Sequence, residues 1–431
     1  MVRETKHTEI GDIPADWEIQ TFEETFRILS NNTLSRENFN NRGGAVRNIH
    51  YGDILTQFTE VLDCSENEIP YVNDLSLLTA STQLLQDGDI VIADTAEDET
   101  VGKVTEVQGI GKDKLVAGLH TIPCRVKKGD FAPGWLGYYM NSNNYHNQIV
   151  PFITGIKVSS ISKTSIAKTL ILIPSLEEQK AITQILSEID LLISAEIKVI
   201  DKIKAVKKGC LSKMFPKNGE FVPEIRLPEF AGDWEQRKLG ELCDFINGDR
   251  SSNYPSSADF QENGIPFVGS DSLGMTLINK RKMRFITPEK YSNMNGLKIQ
   301  KGDILYTLRG AGFGKCSISD FSEGTVASSL VGIRCKKELV VSKYLIQWLN
   351  SENAKNEKEK AVNGSTAQNI SVEDMKSYLI KIPLLNEQEK IGEYFSNLDN
   401  LITFHKRKLE KYKSIKQGML SDLLTGKIRL I

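Results

Sequence analysis

The sequence predicts an α+β protein made of two tandem copies of one unit, each a mixed α/β globular domain followed by a long helix. The first observation is a repeat: IPSLEEQKAITQILSEIDLLI from Ile173 aligns without gaps with IPLLNEQEKIGEYFSNLDNLI from Ile382, an offset of 209 residues. The second is that apolar residues in both copies recur at alternating spacings of three and four, the heptad pattern of paired helices. The two helices are therefore predicted to form an antiparallel coiled coil that joins the domains.

The repeat divides the 431 residues into four consecutive parts. Upstream of the aligned segment it continues at slightly different offsets, since ADWE recurs as GDWE and GDIV recurs as GDIL. Such shifts are typical of insertions in loops on a shared scaffold. The predicted parts are a first domain (1–174), a first long spacer helix (175–217), a second domain (218–383), and a second long spacer helix with the tail that follows it (384–431).

Each long helix is expected to turn one row of residues towards the other helix. In the first copy this row is Ile182, Ile185, Ile189, Leu192, Val199, Ile203, Val206 and Cys210. In the second copy it is Ile391, Tyr394, Leu398, Leu401, His405, Lys408, Tyr412, Ile415 and Met419. The expected helix starts are the capping pairs Ser175 with Glu178 and Asn386 with Glu389.

Two polar residues stand at equivalent positions in these rows. Glu196 and His405 interrupt the apolar pattern at mid-length, where antiparallel helices of equal length cross. A polar residue in a coiled-coil seam often specifies register at some cost in stability. We therefore predict that Glu196 and His405 determine the register of helix pairing.

Composition restricts the classes of function. The net charge of −2 and the pI near 6.3 exclude a globally basic protein, so any affinity for DNA must be local or shared with partners. The six cysteines include no C-x-x-C pair, so no zinc site is expected. The apolar runs are far shorter than the ~18 residues of a membrane span, so the sequence predicts a cytoplasmic protein without membrane contact.

The doubled motif I-P-x-L-x-E-Q followed by a heptad helix resembles the conserved regions of type I restriction-modification specificity subunits. QGMLSDLLTGKIRL from Gln417 is similar to that family's usual ending, and GSTAQNIS from Gly364 resembles the segment that closes its recognition domains. The first copy departs there, with GIKVSSIS from Gly155. The resemblance covers essentially the whole chain and implies two target-recognition domains related by pseudo-two-fold symmetry, each reading one half of a split DNA target.

The same resemblance implies the partners. They are double-stranded DNA, two adenine methyltransferase (modification) subunits and, in the full complex, two ATP-driven restriction endonuclease subunits. S-adenosylmethionine, ATP and Mg are expected on those partners, and this chain is expected to hold no cofactor or metal and to be no enzyme itself. An adenine must be flipped out of the duplex to be methylated. A specificity subunit therefore has to hold the methyltransferase over one base and leave that base free to move, and it need not supply catalytic groups.

In each domain a Gly-Asp turn is predicted to lead into a short buried strand, in DGDIVIAD from Asp87 and in KGDILYTL from Lys301. Each strand then runs into a loop that ends in Gly-Lys. RGAGFGK from Arg309 lacks the GxxxxGK[ST] spacing of a nucleotide-binding loop, so it is interpreted either as a DNA-facing loop or as an ordinary solvated hairpin.

Candidate DNA-binding residues are basic side chains in the variable parts of the domains. Individually, each is more typical of a solvated surface charge than of a base contact. They are Arg36, Arg42, Arg47, Lys103, Lys112 and Lys114 in the first copy, and Arg250, Arg281, Lys282, Arg284, Arg309 and Lys315 in the second.

The sequence bears on three other functions. A self-contained methyltransferase or nuclease would need chemistry of its own, but the sequence has no N-P-P-[FY] motif, no Walker loop and no repeat-matched histidine. A scaffold that binds proteins without touching DNA remains open because the charge is balanced. An orphan specificity subunit that lacks its own partners also remains open.

Overall fold

The computed structural model describes residues 4–431 except 156, 218, 251–252, 275, 311 and 363–368. Most of the GSTAQNIS segment therefore lies outside the described residues. The chain forms two compact units, the first containing residues 1–195 and 409–431 and the second containing residues 196–408. Each unit thus includes the first half of one long helix and the second half of the other.

The first unit contains fifteen short strands among its described residues. The strands are β1 (Thr5–Thr8), β2 (Gly11–Pro14), β3 (Glu18–Thr21), β4 (Phe26–Ile28), β5 (Phe39–Asn40), β6 (Val46–Ile49), β7 (Val61–Asp63), β8 (Tyr71–Val72), β9 (Ile90–Ala93), β10 (Thr95–Ala96), β11 (Val104–Gln108), β12 (Lys114–Ala117), β13 (Thr121–Val126), β14 (Ser159–Ser160) and β15 (Leu170–Ile173). Its helices are α1 (Phe22–Thr25), α2 (Tyr51–Thr56), α3 (Trp135–Met140), α4 (Asn143–Ile149), α5 (Lys163–Ile166) and the start of α6 (Leu176–Lys213).

Two sheets organise this unit. The larger has the strand order β4-β13-β9-β11-β7, antiparallel except for the parallel pair β11 and β7. The smaller has the order β12-β6-β8-β5, in which β12 and β6 are parallel. The pair β3 and β15 leads the chain into α6.

The second unit has fewer strands in the described ranges. Its strands are β16 (Glu235–Lys238), β17 (Cys243–Asn247), β18 (Phe260–Gln261), β19 (Ile265–Val268), β20 (Arg284–Ile286), β21 (Ile304–Thr307), β22 (Cys316–Ile318), β23 (Thr325–Val326), β24 (Leu330–Cys335) and β25 (Leu379–Ile382). Its helices are α7 (Leu239–Leu242), α8 (Pro288–Asn293), α9 (Ser342–Leu349), α10 (Glu352–Ala361), α11 (Val372–Lys376) and α12 (Leu385–Leu423), whose second half belongs to the first unit.

The sheets of the second unit repeat those of the first. The antiparallel order β17-β24-β21-β22 corresponds to β4-β13-β9-β11, and the pair β16 and β25 corresponds to β3 and β15. The smaller sheet, β18-β20-β19-β23, again contains one parallel pair, β19 and β23. The internal repeat of the sequence is therefore a repeat of the fold.

The Gly-Asp turns lead into buried strands, as predicted. Gly88 has a φ of +85°, a left-handed conformation that glycine adopts without steric cost. The buried carboxylate of Asp89 then accepts hydrogen bonds from the Arg125 guanidinium at 2.7 and 2.8 Å, which ties β9 to the neighbouring β13. Asp303 and Arg334 form the same pair at 2.8 and 2.9 Å in the second unit. The GDI sequence therefore recurs because each strand needs both the turn and the acid.

Each unit has its own main core, to which both long helices contribute. In the first unit, Trp135 of α3 and Ile92 of β9 pack in one buried cluster with Ile182 of α6 and Leu423 of α12. In the second unit the corresponding cluster combines sheet and α9 residues with Phe395 of α12, and Cys210 and Leu211 of α6 pack against it. Within each unit the long helices run antiparallel. In the described ranges, none of the helices has the length and apolar composition of a membrane crossing.

About half of the positions predicted to face the other helix are wrong, each by one residue. The positions Ile182, Ile189 and Glu196 do face inwards, but the positions between them are one residue later than predicted. The inward positions in α6 are Ile182, Leu186, Ile189, Ile193, Glu196, Ile200, Ile203, Lys207 and Cys210, and those in α12 are Ile391, Phe395, Leu398, Ile402, His405, Leu409, Tyr412, Lys416, Met419 and Leu423. The predicted Leu192, Val199, Val206, Tyr394, Leu401 and Ile415 are exposed instead.

One predicted helix start is confirmed and the other is wrong. The Ser175 hydroxyl accepts a hydrogen bond from the Glu178 amide at 3.2 Å, so Ser175 caps α6. In contrast, α12 begins at Leu385, which places Asn386 inside the first turn. The repeat explains the error, because the residue equivalent to Ser175 is the exposed Leu384, which cannot accept this bond.

Candidate nucleic-acid interface

Three predicted basic residues of the first unit lie at one edge of its smaller sheet. Strands β6 and β12 are parallel, with Lys114 opposite Val46, so the loops before them meet at their amino ends. These loops carry Arg42 and Lys112, and Arg42, Lys112 and Lys114 are all exposed. The arrangement could attract a DNA phosphate, and the role of these residues remains a prediction.

Arg36 and Arg47 are engaged by the fold. Both guanidinium nitrogens of Arg36 bond the buried carboxylate of Asp53, which holds this arginine against α2. The Arg47 guanidinium donates to the Cys64 carbonyl oxygen at 2.7 Å and lies 2.7 Å from an Asp113 carboxylate oxygen. A DNA contact by either residue would have to compete with these bonds.

Lys103, the predicted Gly-Lys loop residue of the first copy, points into the unit. Its ammonium donates to the carbonyl oxygens of Leu55 and Phe58 at 3.2 and 3.1 Å. Burial lowers the pKa of Lys103 because the charged form loses its hydration. The lysine therefore joins α2 to the strand that follows the loop, and a phosphate contact would require it to leave this place.

In the second unit, three predicted residues lie close together in sequence around β20. Arg281 and Lys282 are exposed on a single 3-10 turn. The guanidinium of Arg284 lies over the rings of Phe260 and Phe267, at 4.7 and 5.3 Å from their centroids. This stacking leaves the arginine exposed yet ordered, which suits a contact with a planar base or a phosphate.

The hairpin between β21 and β22 carries two more predicted residues, Arg309 and Lys315. Arg309 is exposed, and its guanidinium donates to the Ser328 carbonyl oxygen at 3.1 Å. Burial, followed by the nearby charge of Arg250, lowers the pKa of Arg309. Lys315 is exposed where the hairpin returns opposite Thr307. The structure thus brings Arg250 and Arg309 together, although they are 59 residues apart in sequence.

Glu196 and His405 contact each other in the helix pair. Their Oε2 and Nδ1 atoms lie 2.7 Å apart, and the Glu196 side chain is only 7% exposed. The Lys408 ammonium lies 2.5 Å from the other oxygen of Glu196. Hydrogen bonds from Lys408 and then His405 lower the pKa of Glu196. The stability gained from this pair is present above pH 4.5, the ordinary carboxyl value, and is lost as the pH falls through the lowered pKa.

The register role of this pair is tested by replacing Glu196 and His405 together with leucine. Cys210 Sγ and Tyr394 Oη lie 3.3 Å apart, so a Tyr394→Cys background reports the native register by cross-linking to Cys210. We expect the double leucine variant to lose most of this cross-link while remaining helical, because an apolar seam tolerates slipped pairing. The control pair is Ile197→Leu with Phe404→Leu, at exposed positions beside the polar pair. An undiminished cross-link would assign the register to other residues.

Two repeat-matched buried acids have partners that the sequence analysis did not predict. Glu178 of α6 accepts hydrogen bonds from the Trp17 indole at 3.0 Å and from the Arg429 guanidinium, which also bonds Asp16. In the second unit Glu387 of α12 is bonded twice by Arg226, at 2.8 Å. The available signal was the recurrence of Ile-Arg-Leu after each long helix, which supplies both arginines.

The glutamine of the same motif holds the domain to its helix. The Gln179 side chain accepts from the Ala132 amide at 2.9 Å and donates to the Pro174 carbonyl oxygen at 3.0 Å. Gln388 makes the equivalent bonds, to the Val341 amide and the Pro383 carbonyl oxygen. The Glu-Gln pair in I-P-x-L-x-E-Q is therefore a structural junction.

A cluster of histidines and tyrosine was also missed. His50, Tyr51 and His120 lie together in the first unit, with the Tyr51 and His120 rings edge to face at 5.2 Å between centroids. Because His50 and Tyr51 are far from His120 in the sequence, no local pattern indicates the cluster. Across the described part of the chain, no group of three or more His, Cys, Asp or Glu residues is placed to hold a metal ion.

The repeated fold and its family match define a tandem-domain DNA specificity protein. A family model described as the type I restriction modification DNA specificity domain matches residues 14–205 and again 231–413. The chain belongs to this family of type I restriction-modification specificity subunits, the non-catalytic members of those restriction enzymes.

Individual relatives agree with the family match. The chain is 29% identical to the putative type I restriction enzyme MjaX specificity subunit of Methanocaldococcus jannaschii, over 99% of this chain and 96% of that one. It is 22% identical to the EcoKI specificity subunit of Escherichia coli, over 68% of this chain and 65% of that one. The crystal structure of a type I S subunit from M. genitalium has the same fold, with a TM-score of 0.60 at 14% identity, covering 94% of this chain and 96% of that one.

Proposed function

We propose that this specificity subunit reads a bipartite DNA target, with one recognition domain on each half-site, and directs adenine methyltransferase and endonuclease subunits to it. The observation that carries the proposal is the duplicated fold, in which matching sheets carry different loops. Two similar domains with different loops suit two half-sites of different sequence. A protein of this kind works on cytoplasmic DNA, and its partners supply S-adenosylmethionine, ATP and Mg.

The experiment is a genome-wide map of methylated adenines in cells that express this chain with its methyltransferase subunit. The comparison strain expresses the methyltransferase subunit alone. We expect a split motif that appears only when both chains are present. No new methylation from a stable complex would instead favour an orphan subunit or a scaffold that does not bind DNA.

Partner binding is proposed to use the exposed apolar row of the long helices. This row comprises Leu192, Val199 and Val206 of α6 and Tyr394, Leu401 and Ile415 of α12. Successive members lie seven or fourteen residues apart, so they follow one stripe along each helix. Exposed apolar stripes of this kind are typical of protein interaction sites. The methyltransferase subunits, two in number, are the proposed occupants.

This docking proposal predicts the effect of charge on the stripe. We expect Leu401→Glu combined with Phe404→Glu to weaken binding of the methyltransferase subunit by at least about 30-fold. Losing a hot spot of an interface costs roughly 2 kcal/mol of binding free energy, which corresponds to this factor. Phe404 is 60% exposed and neighbours Leu401 on α12. The matched control is Leu77→Glu, an equally apolar exposed site away from the helices. Titration by calorimetry measures the affinity, and equal binding by the double variant and the control would reject the stripe as the site.

A further inference from the structure

The smaller sheet of each unit contains one parallel strand pair, and the carboxyl ends of a parallel pair meet at one edge. The pairs are β6 with β12 and β19 with β23. In sheets with parallel strands, ligands bind outside the carboxyl ends, where the loops that follow the strands converge. We name the two sites the first carboxyl edge (His50, Tyr51, Asp94, Thr95 and His120) and the second carboxyl edge (Arg250, Ser270, Arg309 and Ser328).

At the first carboxyl edge, side chains from the segments after β6 and β9 surround an exposed histidine that follows β12. His120 follows β12, and Tyr51 follows β6 with its ring against the imidazole. The Nδ1 atom of His120 lies 3.2 Å from the Thr95 hydroxyl and 3.4 Å from the Asp94 carboxylate, just after β9. The imidazole side chain is 45% exposed. Hydrogen-bonding groups of both kinds are therefore presented side by side to the solvent.

The backbone at His120 is strained and held in place. Among the residues that the structure describes, His120 alone of the non-glycine residues has a positive φ, of +55°. The Asn31 amide donates to the carbonyl oxygens of Gly118 and Thr121, both at 3.0 Å, and so braces the chain on either side of His120. Backbone strain that the surroundings maintain in this way is concentrated at functional sites. The surrounding structure thus maintains an unfavourable backbone conformation that fixes the direction of one exposed side chain.

The second carboxyl edge is cationic. A Cβ on Gly248 would lie 2.7 Å from the carbonyl oxygens of Val326 and Ala327. Because glycine has no Cβ, the chain can pass directly over the end of β23, and Arg250 follows two residues later. Arg309 reaches the same end of β23, where it bonds the Ser328 carbonyl oxygen. In the described part of the chain, no carboxylate lies within 4.0 Å of either guanidinium. Two neighbouring cations without an acid suit an electronegative ligand.

The two edges are equivalent in the repeat. Thr95 pairs with Ser160 in the first unit, and Arg309 pairs with Asn369 in the second. Both pairs follow the Gly-Asp strand, and their second members are 209 residues apart, the offset of the repeat. The same place in each domain therefore carries different polar residues, as two readers of different half-sites require.

We propose that these carboxyl edges are where the two domains contact DNA bases, with His120 a specificity-determining residue for one half-site and Arg309 for the other. The inference rests on the proposed function and adds the place and the residues of reading. Arg309 suits the O6 and N7 acceptors of guanine, which arginine binds in bidentate fashion. The His120 imidazole, the Thr95 hydroxyl and the Asp94 carboxylate together present hydrogen-bond donors and acceptors, as the major-groove edge of a base pair does.

The test measures base discrimination with the full chain in complex with its methyltransferase subunit. Duplexes carry every single-base change in both halves of the target found for the wild-type chain. We expect His120→Asn and His120→Gly to reduce discrimination about 10- to 100-fold at a position in one half-site and to leave the other unchanged. Both variants accept a positive φ, so the loop is preserved. Arg309→Lys should do the same in the other half-site, because lysine keeps the charge without the bidentate geometry.

Controls and outcomes separate this inference from the proposed function. His7→Asn and Arg237→Lys change an exposed histidine and a surface arginine away from both edges, and should leave every discrimination ratio unchanged. If the wild-type chain yields a split motif and the His120 and Arg309 variants discriminate as it does, the carboxyl edges are not the reading sites although the subunit reads DNA. If the wild-type chain yields no split motif, the proposed function itself fails.

Discussion

Replacing Arg429 with methionine is expected to destabilise the first unit by about 3 kcal/mol, because the loss of one partner from a buried ion pair leaves the other charge uncompensated. Glu178 is completely buried, and the Arg429 side chain is only 12% exposed. The Trp17 indole is the remaining donor to the acid. Hydrogen exchange of the β9 amides measures the stability of the first unit, and exchange of the β21 amides serves as the internal reference in the second.

Two further variants show whether charge burial is the cause. Glu178→Gln combined with Arg429→Met leaves no buried charge and should recover much of the lost stability. Arg226→Met removes the equivalent arginine and should affect β21 instead of β9, because its partner Glu387 belongs to the second unit. Exchange of β9 at the wild-type rate in the Arg429→Met variant would contradict the proposed role of this pair.

Replacing Lys416 with methionine is expected to cost the first unit about 3–5 kcal/mol at pH 7, the range for a broken buried pair. Its ammonium lies 2.7 Å from Glu60 and 2.7 Å from Asp190. Without it, two carboxylates share one partly buried site. The carboxylates of Glu60 and Asp190 raise the pKa of Lys416 despite its burial, so the lysine is charged in the native protein.

The destabilisation caused by Lys416→Met should be smaller at low pH. Burial raises the pKa of Asp190, although Lys416 opposes the shift. Without the lysine this pKa rises further. A carboxyl with a raised folded pKa favours folding at low pH and disfavours it as the pH rises through that pKa. The destabilisation should therefore shrink between pH 7 and pH 4, measured by denaturant unfolding beside wild type. A deficit that is constant over this range would indicate lost packing rather than unpaired charge.

Lys207 provides the matched comparison in the second unit. It lies 2.5 Å from Asp399, whose other oxygen accepts from Thr276 at 3.1 Å and Gln347 at 3.3 Å. Among the residues described, Asp399 is the one carboxylate within 4.0 Å of this lysine, and neutral donors to Asp399 remain after the lysine is removed. Lys207→Met should therefore cost the second unit less than Lys416→Met costs the first, with a weaker dependence on pH.

These two lysines also explain why the helix register could not be predicted in full. The tandem repeat, the long helices and the Gly-Asp strands follow from local patterns that the sequence displays directly. The inward row, however, includes Lys207 and Lys416, whereas the adjacent row offers Val206 and Ile415. A prediction based on hydropathy alone assigns the apolar Val206 and Ile415 to the inward row. The lysines are buried because their carboxylate partners stand on the opposite helix and in a domain far away in sequence, which no local pattern reports.

The availability of each basic residue to DNA could not be predicted from the sequence for a similar reason. Basic residues can be identified by type, but whether an arginine is available depends on what the fold places beside it. Arg36 and Arg47 bond Asp53 and Asp113, whereas the Arg309 guanidinium bonds a backbone oxygen and lies within the electrostatic influence of Arg250. The strained His120 had no signal at all, since its conformation is set by an asparagine 89 residues earlier.

The division of the long helices between the units bears on the order in which the protein can fold during synthesis. The second unit is one continuous stretch, 196–408, and is complete once that stretch has left the ribosome. The first unit begins earlier but must wait for 409–431, because Leu423 and Leu424 fill its core and Arg429 neutralises its buried acid. Domains usually form in the order of translation. Here the half that is made first is finished last, and its unfilled core is exposed while the other half is being made.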